Sequence, residues 1–144
     1  MPDDTPFQVR EIDHIVIRTA NVKALIDFYG GVLGCPLEKS QDSIGLYQLR
    51  AGRALIDLVD TAGELGRAGG APPGVEARNL DHLCLAVDPF EPDAIAAHLA
   101  KSGISSDPPA RRYGATGYGL SVYTADPDGN VVELRGAGSG DRGL

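Results

Sequence analysis

Aliphatic and polar residues alternate through residues 12–19 with the period of a β-strand. Ile12, His14 and Val16 point one way, Asp13, Ile15 and Ile17 the other. From Asn21 the period changes. Val22, Leu25, Ile26, Tyr29 and Leu33 recur at helical spacing behind a capping Asn until Gly34 and Pro36 end the run, which predicts an amphipathic helix of about three turns. Three extended segments follow, near 37–42, 45–50 and 53–60, the last two joined by a tight turn. The predicted order is β-α-β-β-β.

Gly, Ala and Pro dominate residues 61–79, which show no apolar period and read as a connection over the surface. Then the order begins again. A strand at 80–87 precedes a helix in 92–103, a polar stretch at 104–119, a strand at 120–125, the turn "DPDGN" and a last strand at 131–136. The chain therefore divides into an N-terminal stretch 1–10, expected to be flexible, a first module 11–60, a linker 61–79, a second module 80–135 and a flexible tail 136–144 with little apolar content.

The repeat exposes the candidate chemistry. Aligning the opening strands, "IDHIVI" and "LDHLCLAV", matches His14 with His82, and each module closes on a strand with one acid between aliphatics, Asp57 in "LIDLV" and Glu133 in "VVELR". By strand parity Asp57 shares a face with Leu55 and Val59, and Glu133 with Val131 and Arg135. Asp13 and Asp81 read as solvent-facing strand residues. A lone His or acid in a strand is ordinarily a hydrogen-bonded or solvated side chain; the joint repetition is what points further. Burying imidazoles and carboxylates is costly unless a divalent cation offsets their desolvation. A pseudo-twofold between the modules would direct all four side chains to one axis. Two nitrogens and two carboxylates suit zinc, nickel, cobalt, manganese or iron(II) better than calcium.

Composition narrows the partners. The 144 residues carry a formal net charge of -7, which repels phosphate backbones and anionic membranes. No nucleic acid and no membrane partner is expected, and neither a signal peptide nor a spanning segment is legible, so the expected location is cytoplasmic. Cys35 and Cys84 lack zinc or redox spacing and are expected as reduced thiols.

The repeated β-α-β-β-β order, the two Asp-His strands, the helix end "DFYGGVLG" and the element "DPDGNVVEL" together resemble the vicinal oxygen chelate superfamily over residues 11–135. That group includes glyoxalase I, methylmalonyl-CoA epimerase, extradiol dioxygenases and the fosfomycin and bleomycin resistance proteins. The resemblance implies an α+β fold in which two modules build a curved, partly closed mixed sheet of eight strands with the helices outside. It also implies metal ligands at His14, His82 and Glu133 and, where related enzymes more often have Glu, at Asp57. The implied activity is that of a lyase or isomerase acting on a small substrate with vicinal oxygens, through a metal-stabilised enediolate, with Glu133 as base and Asp57 second. An iron(II) ring-opening dioxygenase and a non-catalytic drug-binding protein are the alternatives. Arg111 and Arg112 are candidate anion clamps, and Tyr113, Tyr118 and Tyr123 candidate substrate contacts or proton donors. A homodimer is expected, since an open sheet edge needs cover.

Overall fold

The computed structural model describes residues 5–140. The expectations for residues 1–4 and 141–144 fall outside them. Eight strands form two four-stranded sheets of identical topology, each mixed. In the first, β1 (His14–Thr19) runs parallel to β4 (Ala54–Asp60), which pairs antiparallel with β3 (Leu46–Ala51), and β3 pairs with β2 (Leu37–Gln41). In the second, β5 (His82–Ala86) takes the place of β1, β8 (Val131–Arg135) that of β4, β7 (Gly117–Ala125) that of β3 and β6 (Ala110–Gly114) that of β2. The α+β repeat is thus present, with its eight strands divided between two sheets and no closed barrel. β1 and β5 are both edge strands.

Three differences from the sequence reading have physical causes. The first helix is α-helical only over Val22–Ile26 (α1) and continues as a π-helix over Asp27–Val32, where the Leu33 amide reaches back to the Phe28 carbonyl. Two adjacent aromatics, Phe28 and Tyr29, are both buried edge to face, and the weak α-formers Gly30 and Gly31 follow them, so a widened turn keeps both rings in the core. Secondly, the polar stretch 104–119 contains β6 and the start of β7. Its Arg and Gly residues give no alternating apolar signal, and pairing with β7 supplies the order. Thirdly, residues 136–140 run beside the β6–β7 hairpin on backbone bonds to Leu120, Tyr118 and Thr116, which need no apolar side chain. The linker also contains a short helix, α2 (Glu64–Arg67), clamped by Arg18 on the carbonyls of Gly66, Gly70 and Ala71. A Cβ on Gly66 would stand 1.9 Å from the Asp60 carbonyl oxygen, so only glycine permits this approach.

One core joins the modules. Ile17, Leu25, Phe28, Tyr29, Leu49, Ile56 and Leu58 from the first half pack in a single cluster with Val122, Val132 and Leu134 from the second. α3 (Pro92–Ala100) adds Leu99, fully buried. The "DPDGN" turn locks the seam. Asp126 accepts hydrogen bonds from the Tyr29 hydroxyl, the amides of Asp128 and Asn130 and the Asn130 side chain, while Asp128 accepts from Thr19 and Asn21. This motif fastens one module to the other.

Candidate metal-binding half-sites

The shared core takes one face of each sheet, and the polar repeat lies on the other. On the first sheet His14 lies opposite Leu55, and Asp57 opposite Val16. On the second, His82 lies opposite Val131, and Glu133 opposite Cys84. The acid therefore stands two residues further along the neighbouring strand in both modules, on the same face as the His.

The imidazoles share a second feature. β1 and β5 begin at the histidines, so Asp13 and Asp81 precede the strands rather than alternating within them. Each is exposed, as expected, but its carboxylate bonds the neighbouring ring: Asp13 to Nδ1 of His14 at 2.7 Å and Asp81 to Nδ1 of His82 at 2.6 Å. A carboxylate only accepts, which places a proton on Nδ1, so that in the neutral ring Nε2 is the nitrogen with the lone pair. Such an outer carboxylate fixes the orientation of a metal-ligating imidazole. The Asp13 bond also raises the pKa of His14 above its ordinary value. Strand parity alone could not show this.

The second half-site is the tighter one. Nε2 of His82 faces Oε1 of Glu133 at 3.3 Å, and Glu133 is 5% exposed. Tyr123, opposite Glu133 on β7, packs its ring edge against His82 at 5.6 Å between centroids. The guanidinium of Arg112 lies 4.1 Å over the Tyr123 ring and donates to the Ser121 carbonyl and hydroxyl. Desolvation, then the Glu133 carboxylate, raises the Tyr123 pKa, and the same two causes push Cys84 up to about 11. A cavity of about 740 Å³ opens beside His82 and Tyr123 and is walled by Leu80 and by Glu76 and Arg78 of the linker, so the connecting segment borders the chemistry.

In the first half-site Asp57 is buried, but both its oxygens accept from Nε2 of Gln48, at 3.2 and 3.3 Å. Gln48 stands opposite Asp57 on β3, the counterpart of Tyr123 on β7.

The structure divides the remaining candidates by strand parity. Arg112 and Tyr123 share the face of Glu133. Arg111 lies on the opposite face, stacked on Tyr118 at 3.9 Å, with Tyr118 packed against Tyr113. Those three do not share the face of Glu133. Sequence reasoning passed over Gln48 and the role of Arg135, which lies two residues beyond Glu133 on its face, is buried, donates to the Gly117 carbonyl and has an Nη1 with no hydrogen-bond partner among the described residues. Gly114 makes room for it, since a Cβ there would meet the guanidinium at 2.2 Å. Among the described residues no three His, Cys, Asp or Glu side chains converge within one chain. The four expected ligands form two pairs, not one quartet.

The donor chemistry of each pair fits a divalent cation: a bare imidazole nitrogen, oriented through its other nitrogen, beside a buried carboxylate. The family model described as Glyoxalase/Bleomycin resistance protein/Dioxygenase superfamily matches residues 11–134. The "Glyoxalase domain-containing protein RDO1" of Mycosarcoma maydis is 33% identical over 130 residues, covering 89% of this chain and 69% of that protein. "Virulence protein STM3117" of Salmonella typhimurium is 29% identical over 128 residues, covering 88% and 83%. Its crystal structure superposes with a TM-score of 0.75 at 26% identity, over 91% of this chain and 99% of that one. A lactoylglutathione lyase from Agrobacterium tumefaciens shares the fold, with a TM-score of 0.65 at 23% identity over 90% and 95% of the two chains.

Proposed function

The chain belongs to the Glyoxalase/Bleomycin resistance protein/Dioxygenase superfamily, and from that premise we propose that it is a metal-dependent lyase or isomerase whose site is assembled from two copies. The observation that carries this reading is the repeated pair of a bare imidazole nitrogen and a buried carboxylate on the free face of each sheet. One pair supplies two ligands, fewer than a zinc-type site takes. A twofold dimer that sets the free edge of β1 in one copy against the free edge of β5 in the other would unite His14 and Asp57 with His82 and Glu133, twice per dimer. It would also cover Val16, which is 48% exposed on the face of His14.

Bound there, zinc, nickel, cobalt, manganese or iron(II) would supply positive charge for two vicinal oxygens of a small substrate. The chain's own groups do the rest. Glu133 takes the proton from the carbon next to the substrate carbonyl, with Asp57 as the second candidate base. Tyr123, kept protonated beside Glu133, is placed to donate a hydrogen bond to a developing oxyanion. Arg112 offers a cation for an anionic substituent, while the linker wall at Glu76 and Arg78 limits the substrate's size.

Gln48 favours a second reading. If it keeps Asp57 engaged, His14, His82 and Glu133 form a two-His, one-carboxylate set of the kind that serves iron(II) dioxygenases. Metal analysis of the purified protein, with turnover of methylglyoxal hemithioacetal, methylmalonyl-CoA and catechol, separates the two. Proton-transfer turnover with any of the five metals supports the first reading, and oxygen consumption with catechol and iron(II) alone replaces it by the second. Failure to retain any of the five ions would remove the enzyme reading altogether.

A further inference from the structure

Arg18 of β1 holds both ends of residues 71–79. Its guanidinium donates to the Ala71 carbonyl at 3.2 Å, beside its bonds to Gly66 and Gly70, and its own carbonyl accepts from the Asn79 side chain at 2.7 Å. A Cβ on Gly69 would stand 2.5 Å from the Arg18 Nε, so glycine is what lets the chain pass the guanidinium. A surface segment closed at its base in this way is an Ω-loop, and a closed base with a free tip is the geometry of an active-site lid.

The tip of this loop is joined to no sheet. Among the described residues the backbone of 72–77 makes one backbone–backbone hydrogen bond, from the Gly74 amide to the Ala77 carbonyl at 3.1 Å, which folds the tip on itself. Pro72 and Pro73 stiffen the rising limb. Arg78 steadies the returning limb by donating to the Gly129 carbonyl at 2.9 Å. Between the two limbs stands Val75, 85% exposed, an aliphatic side chain that any inward movement of the tip would take out of water.

Its position decides what it would be buried against. Val75 borders the cavity of about 740 Å³ beside His82 and Tyr123, and Leu80 and Val131 are on the same walls. Val131 stands opposite His82 in the parallel pair of β5 and β8. The cavity is therefore two-sided. His82 and Tyr123, with Glu133 next to them, form a side for chelation and proton transfer, and Val75, Leu80 and Val131 form an aliphatic one. A ligand consisting of two vicinal oxygens alone would leave the aliphatic side in contact with water.

We propose that residues 71–79 are an arm hinged at Arg18 that closes over the half-site of His82 and Glu133 when ligand binds, and that Val75 is its specificity-determining contact. The substrate then bears an apolar group, aliphatic or aromatic, beside its vicinal oxygens. This rests on the metal-dependent reading of the site and deepens it by naming the substrate class. Closure also keeps water from the carbon that Glu133 deprotonates.

Acetohydroxamate and benzohydroxamate test it, because both chelate through the same two vicinal oxygens and differ in an apolar group, methyl against phenyl. Isothermal titration of the full chain, loaded with zinc or whichever of the five ions it retains, should give benzohydroxamate at least about tenfold the affinity of acetohydroxamate, and Val75→Asp should cut that ratio to about threefold or less. Metal content and melting temperature of Val75→Asp should stay near wild type, since the side chain is exposed. The sequence contains no tryptophan, so Val75→Trp supplies a single reporter whose emission should shift to the blue on addition of benzohydroxamate. A ratio unchanged by Val75→Asp would overturn the contact, and an emission unmoved by saturating benzohydroxamate would overturn closure. Either result in protein that retains its metal leaves the metal reading standing. Protein that retains none of the five ions would overturn that reading and the arm together.

Discussion

The two half-sites share one lattice, but their acids differ by one methylene and the residues opposite those acids are Gln48 in one and Tyr123 in the other. In each module the His opens the edge strand, the acid sits two residues along the parallel neighbour, and a third side chain stands opposite the acid on the next strand. Two residues along a strand is about 6.6 Å, a diagonal that a side chain must cross to meet the imidazole. Glu133 crosses it and faces His82 at 3.3 Å. Asp57, shorter by one carbon–carbon bond of about 1.5 Å, turns instead to Gln48. Where the first module has Gln48 donating to its acid, the second has Tyr123, whose ring edge packs on His82 and whose hydroxyl lies beside the Glu133 carboxylate. The same backbone thus yields one pair preset for a cation and one held in reserve, which makes the second sheet the anchor of the proposed site.

The largest expected effect follows from that asymmetry. His82→Ala should lower metal affinity beyond the roughly 10–100-fold typical of an outer-shell change and lower the melting temperature of the metal-treated protein with it, because the buried Glu133 is left without its partner. Isothermal titration and thermal melts with and without metal would check both. His14→Ala, opposite the weaker acid, should cost less. Equal losses would dissolve the distinction between the halves.

Glu133→Gln separates ligand from base. The amide keeps the size and an acceptor oxygen, so metal content should outlast solvent-deuterium exchange at the carbon next to the substrate carbonyl, with kcat falling more than about 100-fold. Undiminished exchange in metal-loaded protein would transfer the base to another residue.

Asp57→Glu gives the first module the longer arm of the second. Metal affinity should rise a few-fold, and Asp57→Ala should lower it by about tenfold or less, both read from competition titrations with a chromogenic chelator. A loss of affinity in Asp57→Glu would show that the shorter acid is the fitted ligand.

The smallest effect reports on the electrostatics of the anchor pair. With its thiol pushed up to about 11, Cys84 should be alkylated slowly at neutral pH, and the rate should climb about tenfold per pH unit between 7 and 10 as the thiolate fraction grows. Glu133→Gln, which removes a neighbouring negative charge, should lower the Cys84 pKa and speed the reaction at pH 8. Mass spectrometry of the modified peptide would follow it.

The repeat and the faces of its strands are legible in the sequence alone. Strand parity around His14 and His82, and aliphatics flanking Asp57 and Glu133, are local signals, since side-chain direction in a strand depends on nothing beyond a residue's own neighbours. For the same reason Arg111 and Arg112 could be seen to be adjacent but not sorted, because only pairing with β7 decides which face meets Tyr123. The bonds from Asp13 and Asp81 to Nδ1 escaped a period-two reading because the strands start one residue later than the alternation suggests. Gln48 was silent, as a polar residue on a strand is ordinarily solvated. Above all, tertiary packing decided that the four expected ligands do not meet in one chain. Phe28 and Tyr29 on the widened helix, with Tyr29 bonded to Asp126, join the two modules through their apolar faces and leave the His–acid pairs on the other face of each sheet. Burial of one continuous core outweighs the gathering of four polar side chains, and no local pattern records which face of a sheet its neighbour will choose.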